Sequence, residues 1–152
     1  MKEIDAGKEL KSLNNLIMRF IENKMLPSEC DKITVNNGWI IGYLFENRGR
    51  DVFSRDLEKE FSVTRSTVSK VVEVMESKGL VRRESVSYDA RLKKLVLTEK
   101  AEAYAAKMHH TGKKFEEILL RGFSEDEKHQ LMSFLIRMKC NLENPEREDN
   151  GE

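Results

Sequence analysis

Between Thr64 and Thr98 the apolar residues of this chain change their period, and that change constrains the fold more than any other feature. Val68, Val71, Val72 and Met75 recur at intervals of three and four, the spacing of one buried helix face. Gly79 can take the left-handed conformation that ends helices, and Leu80 is placed to pack back beneath the segment. The pattern then becomes extended. Leu80-Val81-Arg82-Arg83 and Leu92 to Leu97 flank the polar stretch Glu84 to Arg91, which reads as a β-hairpin. Just ahead, Ser54 is expected to cap a short helix from about Arg55 to Glu60, with Leu57 and Phe61 as its apolar contacts. Ser62-Val63-Thr64 makes the turn into a helix from about Arg65 to Ser77.

The flanks are helical. Leu10, Leu13, Leu16, Ile17, Phe20 and Ile21 predict an amphipathic helix over roughly 6–24, interrupted at Pro27. Thr34 is expected to cap a second helix that carries Trp39, Ile40, Tyr43 and Leu44 inward and stops at Asn47-Arg48-Gly49, with Gly49 left-handed. Thr98 caps a long helix from about Glu99 to Leu120, whose inward residues are Ala101, Tyr104, Ala105, Met108, Phe115, Ile118 and Leu119. Ser124, followed by Glu125-Asp126-Glu127, starts a last helix with the stripe Leu131, Phe134, Leu135, Met138 and Leu142. The fold class is therefore mostly α with a small β-hairpin wing: a winged helix-turn-helix of about six helices. We expect residues 1–33 to hold an N-terminal dimerisation helix, 34–98 the winged unit, 99–144 C-terminal dimerisation helices and 145–152 a frayed acidic tail.

Charge is the next constraint. Lys and Arg balance Asp and Glu at 27 each, which at first argues against a polyanionic partner. The distribution argues the other way: residues 1–47 carry a net −1, 48–98 a net +4 and 99–152 a net −3. Attraction to phosphate depends on local field, so an excess confined to the middle third matters. With the valines and Met75 buried, the helix from Arg65 leaves Arg65, Ser66, Thr67, Ser69 and Lys70 facing solvent near its amino end. Those are the residue types that reach base edges and phosphates. Thr64, Ser66 and Thr67 are also suited to ordinary capping, the commoner job of such hydroxyls. The following hairpin adds Arg82, Arg83, Arg91, Lys93 and Lys94, with Tyr88 and Asp89 near its tip. A basic two-stranded arm beside such a helix can lie along a minor groove, whose narrow form attracts arginine. Gatekeeper charges on a solvated hairpin are the plainer reading. Adjacency of the two basic features favours double-stranded DNA as partner.

Val63-Thr64-Arg65-Ser66-Thr67-Val68-Ser69-Lys70, Met75 through Arg83, Asp89-Ala90-Arg91 and Leu95-Val96-Leu97-Thr98-Glu99-Lys100 together resemble the multiple-antibiotic-resistance regulator (MarR) family. The resemblance runs in helix order from about residue 8 to 142. Its most specific part is the Asp-x-Arg of the wing followed by Leu-Thr, and Ala101 stands where the family often has glycine. The resemblance implies a homodimer built from the first, fifth and sixth helices. It assigns DNA recognition to Arg65, Ser66, Thr67, Ser69 and Lys70, and a minor-groove contact to Arg91 with Asp89 holding the wing in shape. Arg82, Lys93 and Lys94 fall on the DNA backbone, and Ser54 is counted with this set. It also implies a transcription regulator, expected to act as a repressor on a pseudo-palindromic operator. Release by a small aromatic or amphipathic ligand is expected too, in a cleft that Trp39, Tyr43 and Met108 could line, although such residues are more often plain core.

Other function classes find less support. No glycine-rich phosphate loop, nucleophile elbow or Cys-x-x-Cys is present, so an enzyme is not expected, nor a cofactor or resident metal. A metal-responsive regulator of the same fold could use His109, His110 or His129 with carboxylates such as Glu102, yet adjacent helical histidines point about 100° apart. A redox-responsive one could use Cys30, but Glu29 and Asp31 beside it oppose thiolate formation. A winged-helix adaptor for protein contact alone would present an apolar or acidic recognition face, and here that face is basic, diluted by Glu73 and Glu76. Uncharged runs such as Ile33 to Phe45 are too short to cross a bilayer. Lys2, Glu3 and Asp5 stand where a signal peptide needs apolar residues, and Cys30 and Cys140 form no metal-spacing pair. A cytoplasmic protein is expected.

Overall fold

A computed structural model describes residues 5–25 and 36–146. Helix α1 (Ala6–Phe20) is capped by Asp5, whose carboxylate accepts from the Lys8 N–H at 2.9 Å, and continues as a π-helical turn, Ile21–Met25. There follow α2 (Gly38–Glu46), α3 (Ser54–Phe61), α4 (Arg65–Ser77), strands β1 (Val81–Val86) and β2 (Asp89–Leu97), α5 (Glu99–Leu119) and α6 (Glu125–Glu143). Pro27, Cys30 and the expected cap Thr34 lie outside the described residues, as does the tail from residue 147. The chain divides into two compact units, Met1–Thr111 and Gly112–Glu152.

One apolar cluster holds the first unit together. It takes Ile40, Ile41 and Leu44 from α2, Leu57 from α3, and Val68, Val72 and Met75 from α4. Val52 ahead of α3, Leu80 ahead of the hairpin, Val81, Leu95 and Leu97 within it, and Ala101 and Ala105 of α5 complete it. Val71 is only half-buried at its edge. The helix spacing read from the sequence thus places the right face of α4 inward. Gly79, at φ +66°, ends that helix in a Schellman arrangement: the Leu80 N–H donates to the Met75 carbonyl and the Gly79 N–H to that of Glu76, both at 2.9 Å. Thr98 then links two elements. Its hydroxyl donates to the Gly79 carbonyl at 2.7 Å and accepts from the Ala101 N–H at 3.3 Å, so the end of α4 and the start of α5 share one side chain.

Several local expectations are corrected. Gly49 is not left-handed; α2 ends at Asn47, whose backbone and side-chain N–H groups both donate to the Tyr43 carbonyl, at 3.1 and 2.9 Å. That satisfies the terminal carbonyl without a positive φ. Ser54 is not the cap of α3 but its first residue. The cap position belongs to Phe53, whose N–H donates to the Asp56 carboxylate at 2.8 Å while its carbonyl accepts from the Asp56 N–H at 3.0 Å, so the helix starts one residue earlier than a Ser54 cap requires. A left-handed Ser62, φ +51°, turns the chain between α3 and α4. The hairpin is also longer than the polar stretch suggests. β1 and β2 pair from Val81 opposite Leu97 to Ser85 opposite Lys93, then shift at an irregularity before Val86 pairs with Asp89. Buried Val86 gives the distal end an apolar foot, which is why the ladder persists through charged residues.

In the second unit, Ser124 caps α6 as expected: its hydroxyl accepts from the Glu127 N–H at 3.3 Å while the Glu127 carboxylate accepts from the Ser124 N–H at 2.8 Å. Those bonds hold the Glu127 carboxyl below its usual pKa, and Lys128 does the same to Glu125. Neither terminal helix α1 nor α6 buries a residue within the single chain. Leu10, Leu13 and Leu16 stand exposed along α1, and Met132, Phe134, Ile136, Met138 and Leu142 along α6.

Candidate nucleic-acid interface

The amino end of α4 is organised around Thr64. Its hydroxyl accepts from the Thr67 N–H at 3.3 Å and lies 3.0 and 2.9 Å from the hydroxyls of Ser66 and Thr67. Capping and exposure therefore coincide here: the three hydroxyls knit the first turn, and all remain at the surface. Arg65, Ser69 and Lys70 are exposed on the same turn and a half. Among the described residues neither Arg65 nor Lys70 forms an ion pair, so both charges stand open to solvent, next to the positive end of the helix. Ser54, half-buried, starts α3.

The hairpin is different, because most of its cations are already paired. Arg82 Nε lies 2.8 Å from Glu84, and Arg83 reaches back to Glu76 of α4, also at 2.8 Å. Lys94 Nζ is 2.9 Å from Asp51, while Lys93 donates to the Ser85 hydroxyl. Arg91 is the most exposed of them, its side chain 91% accessible. The Asp89 carboxylate accepts from the Arg91 backbone N–H at 3.0 Å and from its guanidinium at 3.2 and 3.4 Å. These bonds hold Asp89 below the ordinary carboxylate pKa and shape the turn after the Ser87-Tyr88 tip. The sequence treats five hairpin cations alike; the structure separates Arg91, at the accessible tip, from Lys94, drawn against Asp51. Asp51 itself was missed by sequence reasoning. Its partners lie 37 and 43 residues away, and no local signal marks it.

The MarR family model matches residues 32–92. A solved structure of the transcription regulator MarR from Oenococcus oeni PSU-1 is 30% identical, aligns over 88% of this chain and 98% of its own, and superposes with a TM-score of 0.71. The chain belongs to the MarR family. Further MarR-like structures share the fold at lower identity. The S. aureus MepR–DNA complex is 21% identical over 92% of this chain and 99% of its own, with a TM-score of 0.77. A MarR family regulator from Listeria monocytogenes complexed with a 26mer DNA is 21% identical over 93% and 90%, with a TM-score of 0.67.

The remaining candidates of this MarR-family chain fall in separate places. Trp39 and Tyr43 pack on Phe61, with ring centroids 4.4 and 5.7 Å apart. Phe61, expected as an apolar contact of α3, makes that contact with Trp39 and Tyr43 while remaining 36% exposed. The Tyr43 hydroxyl accepts from Arg50 at 2.7 Å. Met108 lies instead against Gly38. A cleft of about 440 Å³ opens elsewhere in the first unit, lined among others by Leu44, Arg48, Asp51, Lys94 and Glu102, and by none of Trp39, Tyr43 and Met108. His109 Nδ1 is 3.9 Å from Glu46, its ring beside Phe45, and His110 and His129 are exposed. Among the described residues no group of three or more His, Cys, Asp or Glu could hold a metal ion. Cys140 is free and exposed, and Cys30 lies outside the described residues. No helix among the described residues is long and apolar enough to cross a membrane.

Proposed function

We propose that this MarR-family chain is a transcription regulator that acts by binding double-stranded DNA, not by catalysis. It works as a homodimeric repressor. The observation that carries the reading is the amino end of α4, where exposed Arg65 and Lys70, which form no ion pair among the described residues, stand beside exposed Ser66, Thr67 and Ser69. α4 enters the major groove with these residues at base edges and phosphates, and Arg91 at the hairpin tip meets the neighbouring minor groove. The uncovered apolar stripes of α1 and α6 support a second copy as partner, since such stripes on both terminal helices need cover. DNA-bound relatives of the same fold are consistent with this reading. Selection of bound sequences from a random duplex pool tests it. The expected product is a pseudo-palindrome with half-sites about 10 base pairs apart; an unselected pool, or a single unrepeated half-site, overturns it.

Release by a small aromatic or amphipathic ligand belongs to the same proposal. It is supported by the aromatic group of half-buried Trp39 and Tyr43 with exposed Phe61, the last residue of α3. A thermal-shift screen of aromatic acids and amphipathic cations should find compounds that raise the melting temperature and lower operator affinity together. A screen in which no compound does both removes the ligand from the proposal.

A further inference from the structure

The hairpin meets the loop ahead of α3 at one carboxylate. Asp51 Oδ1 accepts from Lys94 Nζ at 2.9 Å, and Asp51 Oδ2 accepts from the Tyr88 hydroxyl at 3.2 Å. The next residue extends the join, because the Val52 carbonyl accepts from the Leu95 N–H at 2.8 Å, with Val52 and Leu95 both buried. One loop thus takes the tip of the hairpin through Tyr88 and the middle of β2 through Lys94. We propose that Asp51 is a positioning residue for DNA binding: it fixes the angle of the hairpin, and Lys94 serves this anchor rather than a phosphate. The inference rests on the DNA-binding reading above and assigns the geometry of its wing.

Three observations support that division of labour. Lys94 is the least exposed of the paired hairpin cations, at 29%, whereas Arg91 stands at 91%. The bond to Asp51 raises the pKa of Lys94, and the same bond lowers that of Asp51, so the pair is ionic throughout the neutral range. The lever is long. Arg91 lies between the two side chains that Asp51 holds, Tyr88 and Lys94. At about 3.3 Å per strand residue it stands roughly 10 Å from Lys94, so a tilt of about 10° on loss of the anchor displaces it by about 2 Å. Binding constellations tolerate about 0.5 Å, so an unanchored hairpin carries its arginine out of register. Exposed ion pairs contribute little to global stability, so the anchor acts on position and leaves melting nearly unchanged.

The test compares Asp51→Asn, Lys94→Met and the exchange Asp51→Lys with Lys94→Asp in the full-length protein. Hydrogen exchange at the Leu95 amide reads the anchor without DNA and is expected to quicken several-fold in both single variants. Affinity for the selected operator is expected to fall about ten-fold in each, a coupling of the usual size for directly paired groups, and to recover in large part in the exchanged pair. In Lys94→Met the slope of log affinity against log salt stays at the wild-type value, whereas loss of a phosphate contact flattens it by about 0.9 per contact. Unchanged affinity in Asp51→Asn, or a flattened slope in Lys94→Met, overturns the proposal. A wild-type protein that binds no duplex overturns the DNA reading instead, and the Leu95 exchange rate then still reports whether Asp51 anchors the hairpin.

Discussion

Raising salt from about 50 to about 200 mM lowers the affinity of the dimer for its operator by roughly three powers of ten or more. The expectation comes from counting cations that the fold leaves open. Arg55, Lys59, Arg65, Lys70 and Lys93 are exposed in the winged region and form no ion pair among the described residues. Three or four of them meeting phosphates on each protomer give about six to eight contacts per dimer, and each contact releases condensed counterions on binding. The overall charge of zero does not oppose this, because attraction to phosphate follows the local field and residues 48–98 carry a net +4. Arg82, Arg83 and Lys94 already have carboxylate partners and should add little to the slope. Titrations at five or more salt concentrations measure it directly. A line without appreciable slope means that no electrostatic footprint exists and that α4 presents its cations to nothing.

The fold was legible in the sequence wherever a single period or cap dictated local structure. Val68, Val72 and Met75 fixed the face of α4, Gly79 its end, and Ser124 with Glu127 the start of α6. Expectations failed where two local solutions competed. At Asn47 a side-chain amide replaced the left-handed glycine, and reciprocal bonds between Phe53 and Asp56 moved the cap of α3 one residue ahead of Ser54. The strands run further into the polar stretch Glu84 to Arg91 than its charges suggest, with buried Val86 at the distal end of the ladder. The candidate site was legible as a set of residue types and illegible as a set of pairings. Composition gives the hairpin five equivalent cations. Only three-dimensional placement shows that Lys94 belongs to Asp51, and that among the described residues Arg65 and Lys70 pair with no carboxylate. Contacts spanning some twenty to forty residues leave no periodic trace, so the role of Asp51 and the packing of Phe61 on Trp39 had to come from the structure.

Arg91→Ala weakens operator binding by roughly 30-fold or more while leaving the protomer folded. A well-placed arginine contact is worth about 1–3 kcal/mol, and two-fold symmetry removes it twice per dimer, so the losses add in one binding event. Stability should change by no more than about 0.5 kcal/mol, because the side chain is 91% exposed and its pairing with Asp89 is a surface one. The turn also survives the substitution: the Asp89 carboxylate still accepts from the backbone N–H of residue 91, a bond of 3.0 Å that needs no guanidinium. What changes is charge. Asp89, held ionised by the arginine, is left facing the DNA without its partner, which deepens the loss. Arg91→Lys separates the contributions, since it restores the cation without the planar fork that reaches into a narrow groove. It should recover the salt slope but only part of the affinity. Equal operator affinity for wild type and Arg91→Ala at fixed salt removes the hairpin tip from the interface and leaves recognition to α4 alone.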